Sequence, residues 1–213
     1  MTLQKTKLNA PSTPSEAIEK KRQERKRLTA EDFTPSFLVN DILDRLTKDS
    51  NETVWKSTKT IIDPACGNGN FLVEILKRKL DKGHTPQQAL STIFGVDIMA
   101  DNIREARIRL LSIIKENYFT GDCFGFQKQN PQPITEEMIK IVFQNIVCAP
   151  LSKYPNGSLD YLSLPESETF NAKIPKETID KWTRMANDDS LFDDYYLAQE
   201  TTEIAEETVD TTH

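Results

Sequence analysis

The stretch that decides the fold is Ile61-Ile62-Asp63-Pro64-Ala65-Cys66-Gly67-Asn68-Gly69-Asn70-Phe71-Leu72. It begins as an apolar run, breaks into a loop with two glycines, and continues with apolar residues at helical spacing. This pattern predicts a strand, a loop and a helix in that order. Two glycines separated by one residue allow positive φ angles and a close approach of a ligand to the main chain. The glycine spacing alone is equally consistent with a tight turn that binds nothing.

The residues after this stretch predict a second strand that ends in an acid. The helix ends at Gly83, a short helix runs from Thr85-Pro86 to Leu90, and Ser91 to Met99 forms a buried strand containing Asp97. Strand, glycine loop, helix, strand and acid are the βαβ order of a doubly wound parallel sheet. A carboxylate at a strand end can accept hydrogen bonds from both hydroxyls of a ribose. The alternative role for Asp97 is to cap the next helix, for which Asp101 and Asn102 are better placed.

Three motifs together resemble a known family. Asp63-Pro64-Ala65-Cys66-Gly67-Asn68-Gly69-Asn70-Phe71 closely resembles the S-adenosylmethionine loop of adenine-N6 DNA methyltransferases. Thr34-Pro35 resembles the family's Thr-Pro, which stands at the head of a helix and contacts the amino-acid end of the cofactor. Gly95 to Asn102 resembles the second cofactor motif, in which the residue after the acid packs on the adenine. The resemblance implies a cofactor site formed by Thr34, Pro35, Asp63, Pro64, Ala65, Gly67, Gly69, Asn70, Phe71, Asp97 and Ile98.

The catalytic motif of that family is missing from the sequence. The family places Asn or Asp, Pro, Pro and Tyr or Phe at a strand end, where they accept hydrogen bonds from the adenine amine and stack on the flipped base. In one alignment Ala149-Pro150-Leu151-Ser152 occupies that position. In the alignment we favour, Asn145 to Ala149 is the third-motif strand, and Pro150 replaces the acid that contacts the adenine, with Asp122 as the alternative contact. Catalytic residues are therefore not identified.

The remaining pattern predicts further helices and one more strand. Thr34 is expected to cap a helix with Pro35 at its first position and with Leu38, Ile42 and Leu43 or Leu46 as its apolar stripe. The helix from Ile103 to Ile114 carries Arg104, Arg107 and Arg109, which we expect to be solvated. The expected later features are a cap at Thr135, a strand from Gln144 to Ala149, and a short helix bearing Ile179, Trp182 and Met185.

The composition indicates which binding modes and which cellular location to expect for this chain. Its 213 residues are 37% hydrophobic with a mean hydropathy of -0.54, and the net charge is -6. Bulk positive charge therefore does not mediate nucleic-acid binding, and any such contact is local. Three cysteines and two histidines without a framework spacing predict neither disulfides nor a metal site. The sequence contains no long apolar run, so we expect a cytoplasmic protein without a membrane segment.

The predicted organisation has four parts. Residues 1–30 are expected to form a basic arm, and residues 31–160 an α/β Rossmann-like, doubly wound domain of the class I methyltransferase type. Residues 161–186 are expected to form a short helical annex, and residues 187–213 an acidic tail. Five residues of this tail could dock on a partner: Leu191, Phe192, Tyr195, Tyr196 and Leu197. The first functional hypothesis is an S-adenosylmethionine-dependent DNA methyltransferase, or its cofactor-binding portion, with a partner chain that supplies the catalytic and recognition parts. The second is a non-catalytic cofactor- or partner-binding protein, such as a restriction-modification decoy.

Overall fold

The computed structural model describes residues 33–119, 133–149, 173–188 and 190–193, with side chains described through residue 115 in the first range. One compact unit extends from Phe33 to Phe192. Its strands are β1 (Ile61–Asp63), β2 (Ile93–Asp97) and β3 (Ile146–Cys148). Its helices are α1 (Ser36–Asp49), α2 (Asn70–Asp81), α3 (Pro86–Leu90), α4 (Ala100–Phe119), α5 (Glu136–Asn145) and α6 (Lys176–Asn187). No described helix is both long and apolar enough to cross a membrane.

The three described strands form one parallel sheet in the order β1-β2-β3. The register pairs Asp63 with Gly95 and Asp97 with Cys148, so the carboxyl ends of all three strands lie side by side. Ligands of open parallel sheets bind at this edge. The predicted α/β class and parallel sheet are confirmed. No reversal of strand order occurs among the described strands, and the doubly wound arrangement therefore stays a prediction.

The central strand is buried on both faces. Ile93 to Val96 are all buried, as expected for a parallel strand covered by helices. A Cβ added at Gly95 would lie 2.6 Å from Leu72 Cδ1 and 3.1 Å from Cys66 Sγ. The absence of a side chain at Gly95 therefore lets α2 and the loop before it pack directly on β2.

The first helix differs from its predicted form. Pro35 is its N-cap residue and no side chain caps it, so the predicted cap at Thr34 is wrong. The buried residues are Val39 and Leu43, whereas Leu38, Ile42 and Leu46 are between 37% and 42% exposed. The reason is that α1 faces α2 through polar groups as well: Arg78 pairs with Asp44 at 2.8 Å and donates to Asn40 Oδ1 at 3.1 Å. Apolar periodicity alone misplaced this face.

The other predicted elements are present with shifted boundaries. Thr135 caps α5 by accepting from Met138 N at 3.3 Å. The third strand is shorter than predicted, because Gln144 and Asn145 complete α5 and the Asn145 amide donates to Leu90 O at 2.9 Å. Helix α6 lies where it was predicted, and the ring of Trp182 meets that of Phe143 edge-on at 4.8 Å.

The compact unit also reaches beyond residue 187, where the tail was expected to begin. Leu191 and Phe192 are 2% and 1% exposed, and the ammonium of Lys115 lies 4.8 Å from the centroid of the Phe192 ring. Because these two side chains are buried in the unit itself, they are not available to dock on a partner. Tyr195, Tyr196 and Leu197 lie outside the described residues.

Two of the three arginines predicted to be solvated on α4 are structural. Arg107 donates to Ile146 O at 2.9 and 2.6 Å, and its guanidinium stacks 4.0 Å from the centroid of the Phe143 ring. Burial lowers its pKa to about 10. Arg104 is exposed as predicted. Arg107 therefore fastens α4 to the start of β3, and Arg109 has a separate role in the site.

Lys79 is a fully buried cation in α2. It is 0% exposed, and its ammonium donates to Lys59 O and Thr92 Oγ1, both at 2.8 Å. Burial disfavours the charged form and lowers the pKa of Lys79 to about 8. Both hydrogen-bond acceptors are neutral oxygens.

We expect Lys79 to make stability increase with pH over an alkaline window. Between pH about 8 and about 10.5 the unfolded chain holds this proton and the folded chain does not, so the free energy of unfolding rises with pH. Lys79→Met removes this titration, and the difference in unfolding free energy between wild type and variant should grow across the window by on the order of 2 kcal/mol. Urea unfolding of both proteins from pH 7.5 to 10 measures it. A pH-independent difference would contradict the assignment.

Candidate functional site

The loop between β1 and α2 is held in place by main-chain hydrogen bonds. Cys66 N donates to Val96 O at 2.9 Å, which extends the β1–β2 contact into the loop, and Gly69 N donates to Cys66 O at 2.8 Å. Gly67 and Gly69 have φ angles of 52° and 91°, in the region that favours glycine. The predicted positive-φ glycine loop is therefore present at the carboxyl edge of the sheet.

The carboxylate of Asp97 connects this loop to the start of α4. Its Oδ2 accepts from Gly67 N at 3.1 Å, and its Oδ1 accepts from Met99 N at 2.8 Å and from Asn102 Nδ2 at 3.3 Å. Asp97 therefore takes part in capping the start of α4, a role for which the sequence favoured Asp101 and Asn102. A carboxylate offers about four lone-pair sites, so Oδ2 can still accept a ligand hydroxyl.

The residue that directly follows Asp97 is apolar and exposed. Ile98 is 64% exposed, although it directly follows a strand whose preceding residues are buried. Its carbonyl accepts from Cys148 Sγ at 3.4 Å, which places the end of β3 beside it. An apolar platform adjacent to a hydrogen-bond acceptor suits a flat ring carried on a sugar.

Two acidic residues lie at the ends of neighbouring strands in the site, Asp63 at the end of β1 and Asp97 at the end of β2. Burial raises the pKa of Asp63, and the nearby charge of Asp97 raises it further, while the hydrogen bond from Ala65 N at 3.2 Å opposes the rise. The same burial raises the pKa of the Cys66 thiol well above its usual range. Cys66 is therefore a packing residue and not a thiolate nucleophile.

Asn70 joins the loop to the segment before α1. Its Nδ2 donates to Thr34 O at 2.8 Å, and its Oδ1 accepts from Arg109 Nη1 at 2.7 Å. Arg109 Nη1 also donates to Asn68 O at 2.8 Å. The predicted solvation of Arg109 is thus wrong, because its guanidinium binds two oxygens of the loop.

The structure brings most of the predicted site residues to one edge of the sheet. Those linked there by hydrogen bonds or chain continuity are Thr34, Asp63, Pro64, Ala65, Gly67, Gly69, Asn70, Phe71, Asp97 and Ile98. Pro35, the N-cap of α1, is adjacent to Thr34 and exposed. Asp122 and Pro150, the alternative adenine contacts, lie outside the described residues. Their assignment stays a prediction.

Sequence reasoning missed the face of α4 that contacts the loop. Asn102, Glu105, Ala106 and Arg109 follow the i, i+3, i+4, i+7 spacing of one helix face. Glu105 accepts from Asn68 Nδ2 at 3.0 Å, and a Cβ added at Gly69 would lie 3.0 Å from Ala106 Cβ. The signal available in the sequence was a small residue, Ala106, between the polar residues Glu105 and Arg109 on one face of a helix. That helix was already expected to pack on the sheet.

The residues of this edge fit S-adenosylmethionine, the cofactor that the sequence resemblance implies. Two carboxylates, Asp63 and Asp97, suit a ligand that carries an ammonium and a sulfonium. The remaining capacity of Asp97 Oδ2 suits a ribose hydroxyl, and exposed Ile98 suits an adenine ring. In the part of the chain that the structure describes, no group of three or more His, Cys, Asp and Glu side chains is arranged to hold a metal ion.

A parallel α/β sheet with a glycine loop after one strand and an acid after the next is consistent with a methyltransferase fold. The family model described as N-6 DNA Methylase matches residues 17–149, well over half of the chain. The chain belongs to this family.

One curated relative is much longer than the region that this chain matches. The chain is 36% identical over 116 residues to the Type II methyltransferase M.VspI of Vibrio sp. (strain 343). The matched region is 53% of this chain and 24% of the relative, so the chain spans about a quarter of the length of that protein. No solved structure gives a significant match.

Proposed function

We propose that this chain is the S-adenosylmethionine-binding portion of a DNA adenine-N6 methyltransferase. The observation that carries the proposal is the position of Asp97, whose carboxylate bonds to the glycine loop at 3.1 Å and stands beside the 64% exposed Ile98. A strand-end carboxylate that also organises the loop is the group expected to receive a cofactor ribose. Family membership supports the proposed reaction class and DNA as the proposed substrate.

The chemistry proposed for the assembled enzyme is a direct displacement. When bound, S-adenosylmethionine would supply a methyl group: the S–CH3 bond would break as the adenine amine forms its N–C bond, the sulfur would keep the electron pair as a neutral thioether, and the amine proton would pass to water or to the proposed catalytic strand. The residues of this chain bind and orient: Asp97 holds the ribose, Ile98 supports the adenine, and Asp63 offsets the positive charge of the ligand. None of them is proposed to move the amine proton.

A partner polypeptide or a further segment is proposed to supply the catalytic strand and base recognition. The sequence contains no Asn-Pro-Pro-Tyr or equivalent tetrapeptide, and Ala149-Pro150-Leu151-Ser152 has neither the amide acceptor nor the stacking aromatic. The family relative is about four times as long as the region that this chain matches. Both facts support a division of the activity between this chain and other sequence.

We expect purified protein to bind S-adenosylmethionine saturably, with one molecule per chain. The carboxyl edge already contains the acceptor, the apolar platform and the glycine loop, so binding should not require the catalytic strand. Isothermal titration of the full chain measures the affinity, and Arg104→Met, a change on the exposed face of α4, is the matched control that should bind equally well. A folded chain that shows no heat of binding would contradict the proposal.

The alternative is a non-catalytic cofactor- or partner-binding protein, such as a restriction-modification decoy. The missing tetrapeptide favours this candidate as well. Incubation with methyl-labelled cofactor and adenine-containing DNA separates the enzyme from the decoy. The experiment uses first the chain alone and then the chain co-expressed with the polypeptide encoded by the neighbouring reading frame. Transfer to DNA in either case supports the enzyme, and binding without transfer in both cases supports the decoy.

A further inference from the structure

Arg109 lies on α4, outside every motif that identified the site, and it contacts the loop from the helix side. One of its terminal nitrogens, Nη1, lies 2.8 Å from Asn68 O and 2.7 Å from Asn70 Oδ1. The guanidinium is partly buried. A charged donor in a partly buried position makes stronger hydrogen bonds than a neutral one, and its loss leaves the acceptors without a partner.

These bonds fix the orientation of the Asn70 amide. A guanidinium only donates, so the Asn70 atom that faces it must be the oxygen, and the NH2 group must then face the other way. On that side it donates to Thr34 O at 2.8 Å. Arg109, Asn70 and Thr34 therefore form a directed chain of hydrogen bonds from α4, through the first residue of α2, to the segment that precedes α1.

This chain of bonds reaches only one side of the site. Asp97 is organised separately, by Gly67 N, Met99 N and Asn102 Nδ2, and Ile98 projects from the end of β2. Arg109 donates to Asn68 O and Asn70 Oδ1, and not to Asp97 or Ile98. The side formed by Thr34 and Asn70 and the side formed by Asp97 and Ile98 are thus held by different groups.

We infer that Arg109 is a positioning residue, acting through Asn70 and Thr34, that selectively strengthens binding of the amino-acid end of the cofactor. The inference rests on the proposed function for its ligand. Arg109 itself does not touch the cofactor; it sets the distance between the Thr34 segment and the loop. The adenosine end, held by Asp97 and Ile98, does not depend on it.

The test compares two ligands that share the adenosine end. S-adenosylhomocysteine carries the amino-acid end and 5′-methylthioadenosine lacks it. Arg109→Met should weaken S-adenosylhomocysteine about tenfold or more, because a charge-assisted hydrogen-bond pair is lost, and should leave methylthioadenosine within about twofold of wild type. Arg104→Met, on the exposed side of the same helix, should change neither affinity.

Two further measurements separate positioning from general destabilisation. Asn70→Ala should weaken S-adenosylhomocysteine similarly, and the two effects should be less than additive in the double variant, since both substitutions break the bond between Arg109 and Asn70. Amide hydrogen exchange without ligand should increase at residues 68–72 of Arg109→Met, with α5 unchanged. This readout remains valid if wild type binds neither ligand, in which case the proposed function fails and the loop contact is still tested.

Equal weakening of both ligands, additive effects of the two substitutions, or unchanged exchange of the loop would each overturn the inference. Selective weakening together with non-additivity and faster loop exchange is the expected result.

Discussion

Asp97→Ala is expected to abolish measurable binding of S-adenosylmethionine. The carboxylate is the proposed ribose acceptor and also bonds to Gly67 N and Met99 N, at 3.1 and 2.8 Å, so its removal deletes a ligand contact and loosens the loop that forms the rest of the site. Each hydrogen bond to a charged group contributes about 1.5–3 kcal/mol, so losing both the ligand bond to Oδ2 and the loop bond from Gly67 N corresponds to roughly a hundredfold or more in affinity. Isothermal titration with wild type and variant measures this.

A matched variant separates the ligand contact from the structural one. Asn102→Ala removes one of the two partners of Asp97 Oδ1, a bond of 3.3 Å, and leaves the carboxylate in place. This variant should lose stability without losing the ribose acceptor, and its affinity should stay within about tenfold of wild type, because the carboxylate keeps its bonds from Gly67 N and Met99 N. A folded Asp97→Ala protein, verified by circular dichroism, that still binds with wild-type affinity would refute the assignment.

Gly69→Ala is expected to be the most destabilising single change in the loop. At a φ of 91° an alanine is strained, and its Cβ would lie 3.0 Å from Ala106 Cβ and 3.3 Å from Ala106 Cα. The second contact is with helix backbone, which cannot move without shifting α4. Backbone strain and this displacement together should cost about 3 kcal/mol, which lowers the melting temperature of a chain of this size by about 8 °C. Thermal unfolding followed by circular dichroism measures the shift.

Gly67→Ala is the control for the same loop. Its φ of 52° lies in the ordinary left-handed region, and the atoms that its Cβ would meet at 3.0 and 3.2 Å belong to the side chain of Phe33 and not to helix backbone. The expected loss is about 1 kcal/mol, from backbone strain alone. Equal destabilisation by the two substitutions would show that the contact with α4 is not the limiting one.

The parts of the fold set by local signals were predictable from sequence. The glycine loop, the helix that follows it and the acid at the end of β2 each follow from residue type and spacing over fewer than about a dozen positions. The capping box of α3, in which Thr85 and Gln88 bond reciprocally at 3.0 and 3.3 Å, begins at the Thr85-Pro86 signal that located this helix. In these segments local preference and tertiary packing agree.

The parts set by contacts between distant segments were not predictable in the same way. Arg107 and Arg109 have the spacing of surface residues, yet their partners are Ile146 and Asn70, each 39 positions away. The buried face of α1 was misassigned because Arg78, on another helix, pairs with the polar residues Asn40 and Asp44 of α1. Patterning identifies which residues are apolar, but it cannot show that a long cation will reach across to a main-chain oxygen.

Helix α4 acts as a spacer of fixed width. Arg107 and Arg109 are two residues apart and project to nearly opposite sides of the helix. Arg107 therefore binds the third strand, and Arg109 binds the loop after the first strand. Strands one and three are separated by roughly 10 Å, close to the diameter of a helix. The distance between the third strand and the loop after the first is therefore set within this chain, and the proposed companion polypeptide would have to contribute reactive groups but not this spacing.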